Sequence, residues 1–240
     1  MSESAPAPAL LVKSDFFDTT LRMVSGSVDT PIYSNLVEAI AEKVKEKIKA
    51  DGQFMIVIRG GCGSGKSNLA LQIIRTINPA FTFEDTYIYS PVDFAKKLKR
   101  GSTEPINWFD EAIVMFSSLN IMSAGGRMMG TYFDTMRLDH GINILCLPND
   151  EEIDGRVKKH MDMLIECPEK APLPKWAGFS ARGFFEVIHR INYRSGNHYD
   201  KTVGYGYCRP VPKKLYAEYV KIKKQHADEY KKTFIEKLLK

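Results

Sequence analysis

An α/β fold with a mainly parallel central sheet flanked by helices is what the sequence predicts, and three observations carry that expectation. Short apolar runs alternate with amphipathic stretches between residues 31 and 168. One junction between the two, Gly60-Gly-Cys-Gly-Ser-Gly-Lys-Ser67, matches the pattern GxxxxGK[ST] in full. A later apolar run ends in an acidic pair, Asp110-Glu111. Strands that alternate with helices in this way pair in parallel and are covered on both faces.

Residues 1–30 carry no clear periodicity and read as a flexible N-terminal tail, closed by Pro31. The tail lacks the basic start and apolar core of a secretory signal. Asn35 with Glu38 resembles a capping box, and Leu36, Val37, Ile40, Ala41, Val44 and Ile48 make one apolar face, so a helix is predicted over 35–50. Asp51-Gly52 ends it, a strand follows over 53–59, and the helix after the glycine-rich turn runs to about residue 77. Residues 86–90 form a second strand, and Pro91 can start a short basic helix over 91–100. A break at 101–103 leads to a third strand, Ile106-Asn-Trp-Phe-Asp110. Residues 112–130 are rich in Met, Ser and Gly, and 123–130 read as a mobile loop. A helix over 131–139, a strand over 142–147, a helix near 152–160 and a strand over 163–167 complete the core.

Beyond the core, 168–182 contains three prolines and reads as a linker. Residues 184–193 and 199–207 flank Ser195-Gly196-Asn197 as a β-hairpin, and a long helix follows over 213–239. Leu215, Tyr219, Ile222, Phe234 and Leu238 give that helix an apolar stripe. The expected organisation is therefore a tail (1–30), a nucleotide-binding core (31–168), a loop and hairpin extension (169–212) and a basic C-terminal helix (213–240).

The chemistry starts at the glycine-rich turn. Glycines let the backbone curl so that successive N–H groups of Gly60, Gly61, Cys62, Gly63, Ser64 and Gly65 point at phosphate oxygens, and the helix start adds its positive end. Lys66 would reach the β- and γ-phosphates, and the Ser67 hydroxyl would ligate magnesium. A glycine-rich strand-to-helix turn that binds nothing would not need the Lys-Ser pair. The expected ligands are ATP and Mg2+.

Hydrolysis needs more: a carboxylate for the metal at the end of a neighbouring strand, and a base for water. Asp110 supplies the first through the metal's water shell and Glu111 the second. The alternative is a helix N-cap with favourable dipole placement. Glu beside Asp marks the additional-strand, catalytic-glutamate (ASCE) division of P-loop proteins, in which a strand separates the phosphate loop from the acidic strand. GTPases need an Asn-Lys-x-Asp motif, which the chain lacks, and the Arg-rich lid of small-molecule kinases is missing too. Asn149, after Ile-Leu-Cys-Leu-Pro, stands where a γ-phosphate sensor would end the next strand, or it starts a turn. Arg137 and Arg156 flank that strand; each is either an arginine finger for a neighbouring subunit or a surface arginine.

With those residues in place the chain resembles a family. Ile-Asn-Trp-Phe-Asp-Glu-Ala, Met-Arg-Leu-Asp-His-Gly-Ile-Asn-Ile-Leu-Cys-Leu-Pro-Asn and Ile-Asp-Gly-Arg-Val look like the FtsK–HerA class of DNA-pumping ATPases, with a RecA-like core. The fit is to its small single-domain members in archaeal viruses and plasmids, including genome-packaging ATPases, and covers about residues 50–168. The resemblance implies that Lys66 and Ser67 serve the phosphate loop, Asp110 and Glu111 the acidic strand, and Arg137 the position ahead of the sensor. The family usually has Gln where this chain has Asn149. It also implies a homo-oligomeric ring, six-membered in the family, acting on double-stranded DNA without reading its sequence, with a capsid or portal-like protein as partner. Loop 117–130, with Arg127, Gly125 and Gly126, would touch DNA phosphates in the channel. Tyr193, Tyr199, Tyr205 and Tyr207 either stack on bases or serve an ordinary sheet.

Other functions share these residues. A replication helicase or helicase loader has the same catalytic set, and an ATP-gated assembly adaptor would bind ATP and turn over negligibly. A nucleoside kinase is a more remote alternative.

Composition agrees with a single α/β domain plus extensions: 240 residues, 44% hydrophobic and 26% charged. No apolar run approaches the roughly 20 residues that cross a bilayer. A cytoplasmic location (the host's, for a viral protein) and no membrane partner are expected. Cys62, Cys146, Cys167 and Cys208 lie far apart without ligand spacing, so reduced thiols rather than zinc are expected. Net charge is +5, and Arg209–Lys240 holds ten basic against four acidic residues, a polyanion contact or a solvated helix face.

Overall fold

Phe54-Met-Ile-Val-Ile58 alternates its side chains between two apolar clusters, which is what a strand buried on both faces must do. The molecule is organised around it. In this computed structural model the described residues are 10–25, 31–50, 52–101, 105–116, 131–132, 141–149, 153, 155–168, 183–192 and 198–238.

Along the chain come β1 (Leu10–Ser14), β2 (Thr19–Ser25), β3 (Ile32–Tyr33), α1 (Leu36–Lys49), β4 (Phe54–Arg59) and α2 (Lys66–Ile77). Next are α3 (Phe83–Thr86), β5 (Tyr87–Ile88), α4 (Pro91–Arg100), β6 (Ile106–Phe109), α5 (Ala112–Phe116) and β7 (Ile142–Leu147). The last are α6 (Gly155–Lys158), β8 (Met163–Glu166), β9 (Phe184–Asn192), β10 (His198–Tyr207) and α7 (Lys213–Leu238).

The strands form one sheet in the order β1-β2-β3-β10-β9-β8-β4-β7-β6-β5. Its heart, β8-β4-β7-β6-β5, is parallel throughout. One face packs Phe54, Ile56, Ile58, Ile144 and Ile165 against α1, α2 and the start of α7. The other packs Met55, Val57, Leu145 and Phe109 against Phe94 of α4, Met115 and Phe116 of α5, and Val157 of α6. The fold class is the one the sequence predicts: α/β, with a mainly parallel core flanked by helices. β7 lies between β4 and β6, so one strand separates the phosphate-loop strand from the acidic strand.

Three expectations need correcting. Residues 10–25, read as tail, form the β1–β2 hairpin, paired from Leu10↔Met23 to Ser14↔Thr19. Phe17 and Leu21 bury themselves in the core and anchor it. A strand with one wholly buried residue carries too little alternation to register as a pattern. Residues 1–9 and 26–30 of that tail lie outside the described residues. The β9–β10 hairpin is not an appendage either: β9 pairs antiparallel with β8, β10 parallel with β3, so the hairpin belongs to the core's own sheet. Finally, Asn35 does not cap α1. Its Oδ1 accepts from Arg22 N (2.7 Å) and its Nδ2 donates to the Thr20 carbonyl (3.1 Å), tying the helix entry to β2. The capping box sits instead at α4, where Ser90 Oγ accepts from Asp93 N and Asp93 Oδ2 accepts from Ser90 N.

The helix expected near 152–160 is the short α6, ending in a turn at Lys159–His160. Of the helix expected over 131–139, Thr131 and Tyr132 are described, and both are helical. None of the helices among the described residues is long and apolar enough to cross a membrane.

Candidate active site

The parallel strands end together. Ile58 pairs with Cys146 and Phe109 with Leu145, so the C-terminal tips of β4, β6 and β7 lie side by side, where α/β sheets place their ligand crevices. The predicted groups fall here: the phosphate loop after β4, Asp110-Glu111 after β6, and Asn149 two residues past β7.

The loop's backbone depends on glycine. Gly60 has φ +149°, and a Cβ there would stand 2.3 Å from the Cys167 carbonyl oxygen and 2.8 Å from Ser64 Oγ. Gly65, at φ +107°, takes the left-handed region immediately before α2. Lys66 Nζ donates to the carbonyls of Gly60 (2.7 Å) and Gly61 (2.8 Å), so the ammonium lies over the loop. Ser64 Oγ is buried without a hydrogen-bond partner among the described residues.

The loop and the acidic strand meet across β7. Ser67 Oγ donates to Asp110 Oδ1 at 2.7 Å, and Asp110 is buried. The structure therefore brings the expected metal-binding pair together through tertiary contact. Through this bond Asp110 faces the glycine loop as well as preceding α5. Glu111, alongside, is partly exposed.

Two groups of the site were missed in the sequence, both on α7. Tyr219 donates its hydroxyl to Asp110 Oδ2 at 2.8 Å. Lys223 Nζ donates to the same oxygen at 2.8 Å and to Glu111 Oε1 at 2.7 Å. Burial pulls the Lys223 pKa down, but Asp110 and Glu111 outweigh burial and hold it above the ordinary lysine value. Burial first, and then the Asp110 charge, push the Tyr219 hydroxyl well up, so it stays a proton donor. A signal did exist: Tyr219 and Lys223 stand at i and i+4, on one helix face, at the border of the apolar stripe. Of that stripe, Tyr219 is buried and Leu215 and Ile222 pack against the core, while the side chains of Phe234 and Leu238 lie outside the described ones. The segment is thus no free basic tail, although Lys213, Lys214, Lys221, Lys224, Lys231 and Lys232 are exposed on its outer side.

Asn149 is half-buried at its predicted place and bonded within the structure. Arg156 lies on α6, with its side chain outside the described set; Arg137 and residues 117–130, with Gly125, Gly126 and Arg127, lie outside it altogether. Tyr199, Tyr205 and Tyr207 belong to β10, with Tyr205 stacked on Phe184 at 5.6 Å; Tyr193 is not among the described residues. All four cysteines are free; Cys62 is exposed on the loop, and burial pushes the Cys167 and Cys208 thiols up to about 12.

The donor set suits a magnesium nucleotide. Ser67 and Asp110 offer two hard oxygens, the glycine cradle admits close backbone approach, and the orphaned Ser64 hydroxyl awaits a polar partner. Among the described residues no group of three His, Cys, Asp or Glu could hold a metal by itself.

No family model and no curated protein matches the sequence. Solved structures do align with the fold. The DNA-packaging ATPase B204 from Sulfolobus Turreted Icosahedral Virus is 15% identical, with 68% of this chain and 98% of that one covered, at a TM-score of 0.40. The genome packaging NTPase B204 from Sulfolobus turreted icosahedral virus 2, in complex with ATP-gammaS, is 15% identical over 67% and 98% of the two chains, at 0.39. The same NTPase with AMPPCP is 14% identical over 67% and 99%, at 0.39. The chain is similar to these structures only at low identity and low TM-score. At these identities the functional argument rests on the site itself.

Proposed function

We propose that the protein is a Mg-ATP-hydrolysing motor that moves double-stranded DNA, working as an oligomeric ring, with the packaging of a viral genome into a capsid as its task. The observation that carries the catalytic part is the 2.7 Å bond between Ser67 and Asp110, with Glu111 next in the chain. It joins phosphate loop and acidic strand into one site.

In this reading the backbone amides from Gly60 to Gly65 cradle the β-phosphate, and Lys66 exchanges its two carbonyl partners for phosphate oxygens. Ser67 would hold Mg2+ directly and Asp110 through water. Held there, the ion would supply positive charge to offset that of the phosphates. Glu111 takes a proton from the attacking water, whose oxygen bonds to the γ-phosphorus. The bond from that phosphorus to the bridging oxygen breaks, and ADP leaves with the electron pair. Asn149, two residues past β7, would sense the γ-phosphate. A neighbouring subunit would supply the arginine, from Arg137 or Arg156, which is why a ring is needed.

The DNA part rests on the resemblance and on the lysines exposed along α7, which suit contact with a polyanion without base readout. The test is the ATPase rate with and without long duplex DNA at several protein concentrations. A motor predicts stimulation by DNA that rises cooperatively with protein. A rate indifferent to both would contradict it and favour the ATP-gated adaptor, and strand separation in a duplex-unwinding assay would favour the helicase.

A further inference from the structure

Lys223 is tied to both carboxylates of the acidic pair, and no motif announces it. Successive residues of a strand point to opposite faces. Asp110 and Glu111 nonetheless share one partner, because the chain turns after Phe109 and a single ammonium gathers both, at 2.8 and 2.7 Å. Its side chain is one-third exposed, so solvent screens the pairing and its value lies less in attraction than in geometry.

The helix that delivers it is built in. Tyr219, one turn earlier, is buried, stacks on Trp108 of β6 with ring centroids 5.3 Å apart, and bonds Asp110 through its hydroxyl. Toward the other end, His226 meets Asp93 at 3.3 Å and stacks on Tyr89 at 6.2 Å. Before the helix, Val211 N donates to Asn68 Oδ1 on α2 at 2.9 Å. The segment from Val211 to His226 is therefore pinned to α2, β6 and the start of α4. A strap meant to leave would not bury a tyrosine in the core beside its lysine.

We infer that Lys223 is a positioning residue for hydrolysis: it holds Glu111 Oε1 beside Asp110, so that Oε2 is presented to the attacking water, and Tyr219 fixes Asp110 in the same way. This rests on the ATPase reading above. Lys223 acts through Glu111 and touches no phosphate in this role, so it should govern kcat and not nucleotide binding. Arginine can span the same two carboxylates; methionine keeps the stem and loses the donors.

The experiment compares wild type, K223M, K223R and Y219F, with folding checked by circular dichroism and melting temperature. Mg-ATP affinity is measured separately with a fluorescent analogue. K223M should lower kcat at least tenfold with KM and analogue affinity within about threefold of wild type, a loss confined to the transition state. K223R should recover most of it, and Y219F should lose less than K223M. An unchanged kcat in K223M overturns the role. A raised kcat overturns it as well and makes the α7 contact inhibitory. A fall in kcat and affinity together, unrescued by arginine, reduces Lys223 to a structural ion pair. If the wild-type chain binds Mg-ATP and never hydrolyses it, the ATPase reading itself fails and takes this role with it, whereas a hydrolysing wild type beside an indifferent K223M removes the role alone.

Discussion

At the start of β6, Lys97 of α4 donates to the Ile106 carbonyl and to Asn107 Oδ1, both at 2.8 Å. Past the end of the same strand, Lys223 of α7 donates to Asp110 and Glu111 at nearly the same distances. The first lysine is buried, these two acceptors are neutral, and Asn107 passes the network on to Asn143 of β7 through a 3.1 Å bond. The second is partly exposed, its acceptors are ionisable, and the phosphate loop shares one of them. Local chemistry is alike at both ends; the surroundings are not. A polar network sealed at the closed end of a parallel sheet stabilises and specifies strand pairing. One at the open end, beside the glycine loop, would serve the hydrolysis proposed above.

That contrast can be broken in three ways. The largest effect is expected from G60A at the open end. Its φ of +149° and the 2.3 Å approach of a Cβ to Cys167 should cost roughly 3 kcal/mol or more, with Mg-ATP binding lost. Calorimetric titration with Mg-ATP measures it; unchanged affinity would mean that the cradle is not needed for phosphate. K97M comes next. Two acceptors lose their donor, so stability should fall by about 2 kcal/mol, or roughly 4–8 °C in melting temperature for a domain of this size, with kcat of the folded protein unaltered. A collapse of kcat without loss of stability would erase the distinction between the two ends. The smallest effect on the fold is expected from a maleimide. It should modify exposed Cys62 first, leave Cys146, Cys167 and Cys208 untouched in the native state, and be slowed by Mg-ATP. Labelling of the other three ahead of Cys62 would contradict the burial described.

Much of the open end was legible because its signals are local. Gly60–Ser67 is contiguous, and Asp110-Glu111 closes an apolar run. The order of β4, β7 and β6, which brings Ser67 to Asp110, followed from the adjacent glutamate that marks this division of P-loop proteins. Lys223 was not legible as a site residue, because it lies 113 positions from Asp110 and looks like any lysine of a basic helix. The stripe through Leu215, Tyr219 and Ile222 shows which face is buried, but not what that face meets. The β1–β2 hairpin escaped for a similar reason: Phe17 and Leu21 find their core only once β3 and β10 are paired. Asn35 misled because a polar residue ahead of a helix can bond to its own backbone or, as here, to a neighbouring strand. Distant pairings leave no short-range pattern.

The central claim is that Glu111 primes water at a nucleotide held by Gly60–Ser67. Its most direct test is single-turnover hydrolysis by E111Q at saturating Mg-ATP, beside nucleotide affinity measured in the same preparation. The account predicts wild-type affinity with phosphate release slowed by at least about a hundredfold, a loss of the base and not of the cradle. Release of phosphate from E111Q at the wild-type rate would contradict it.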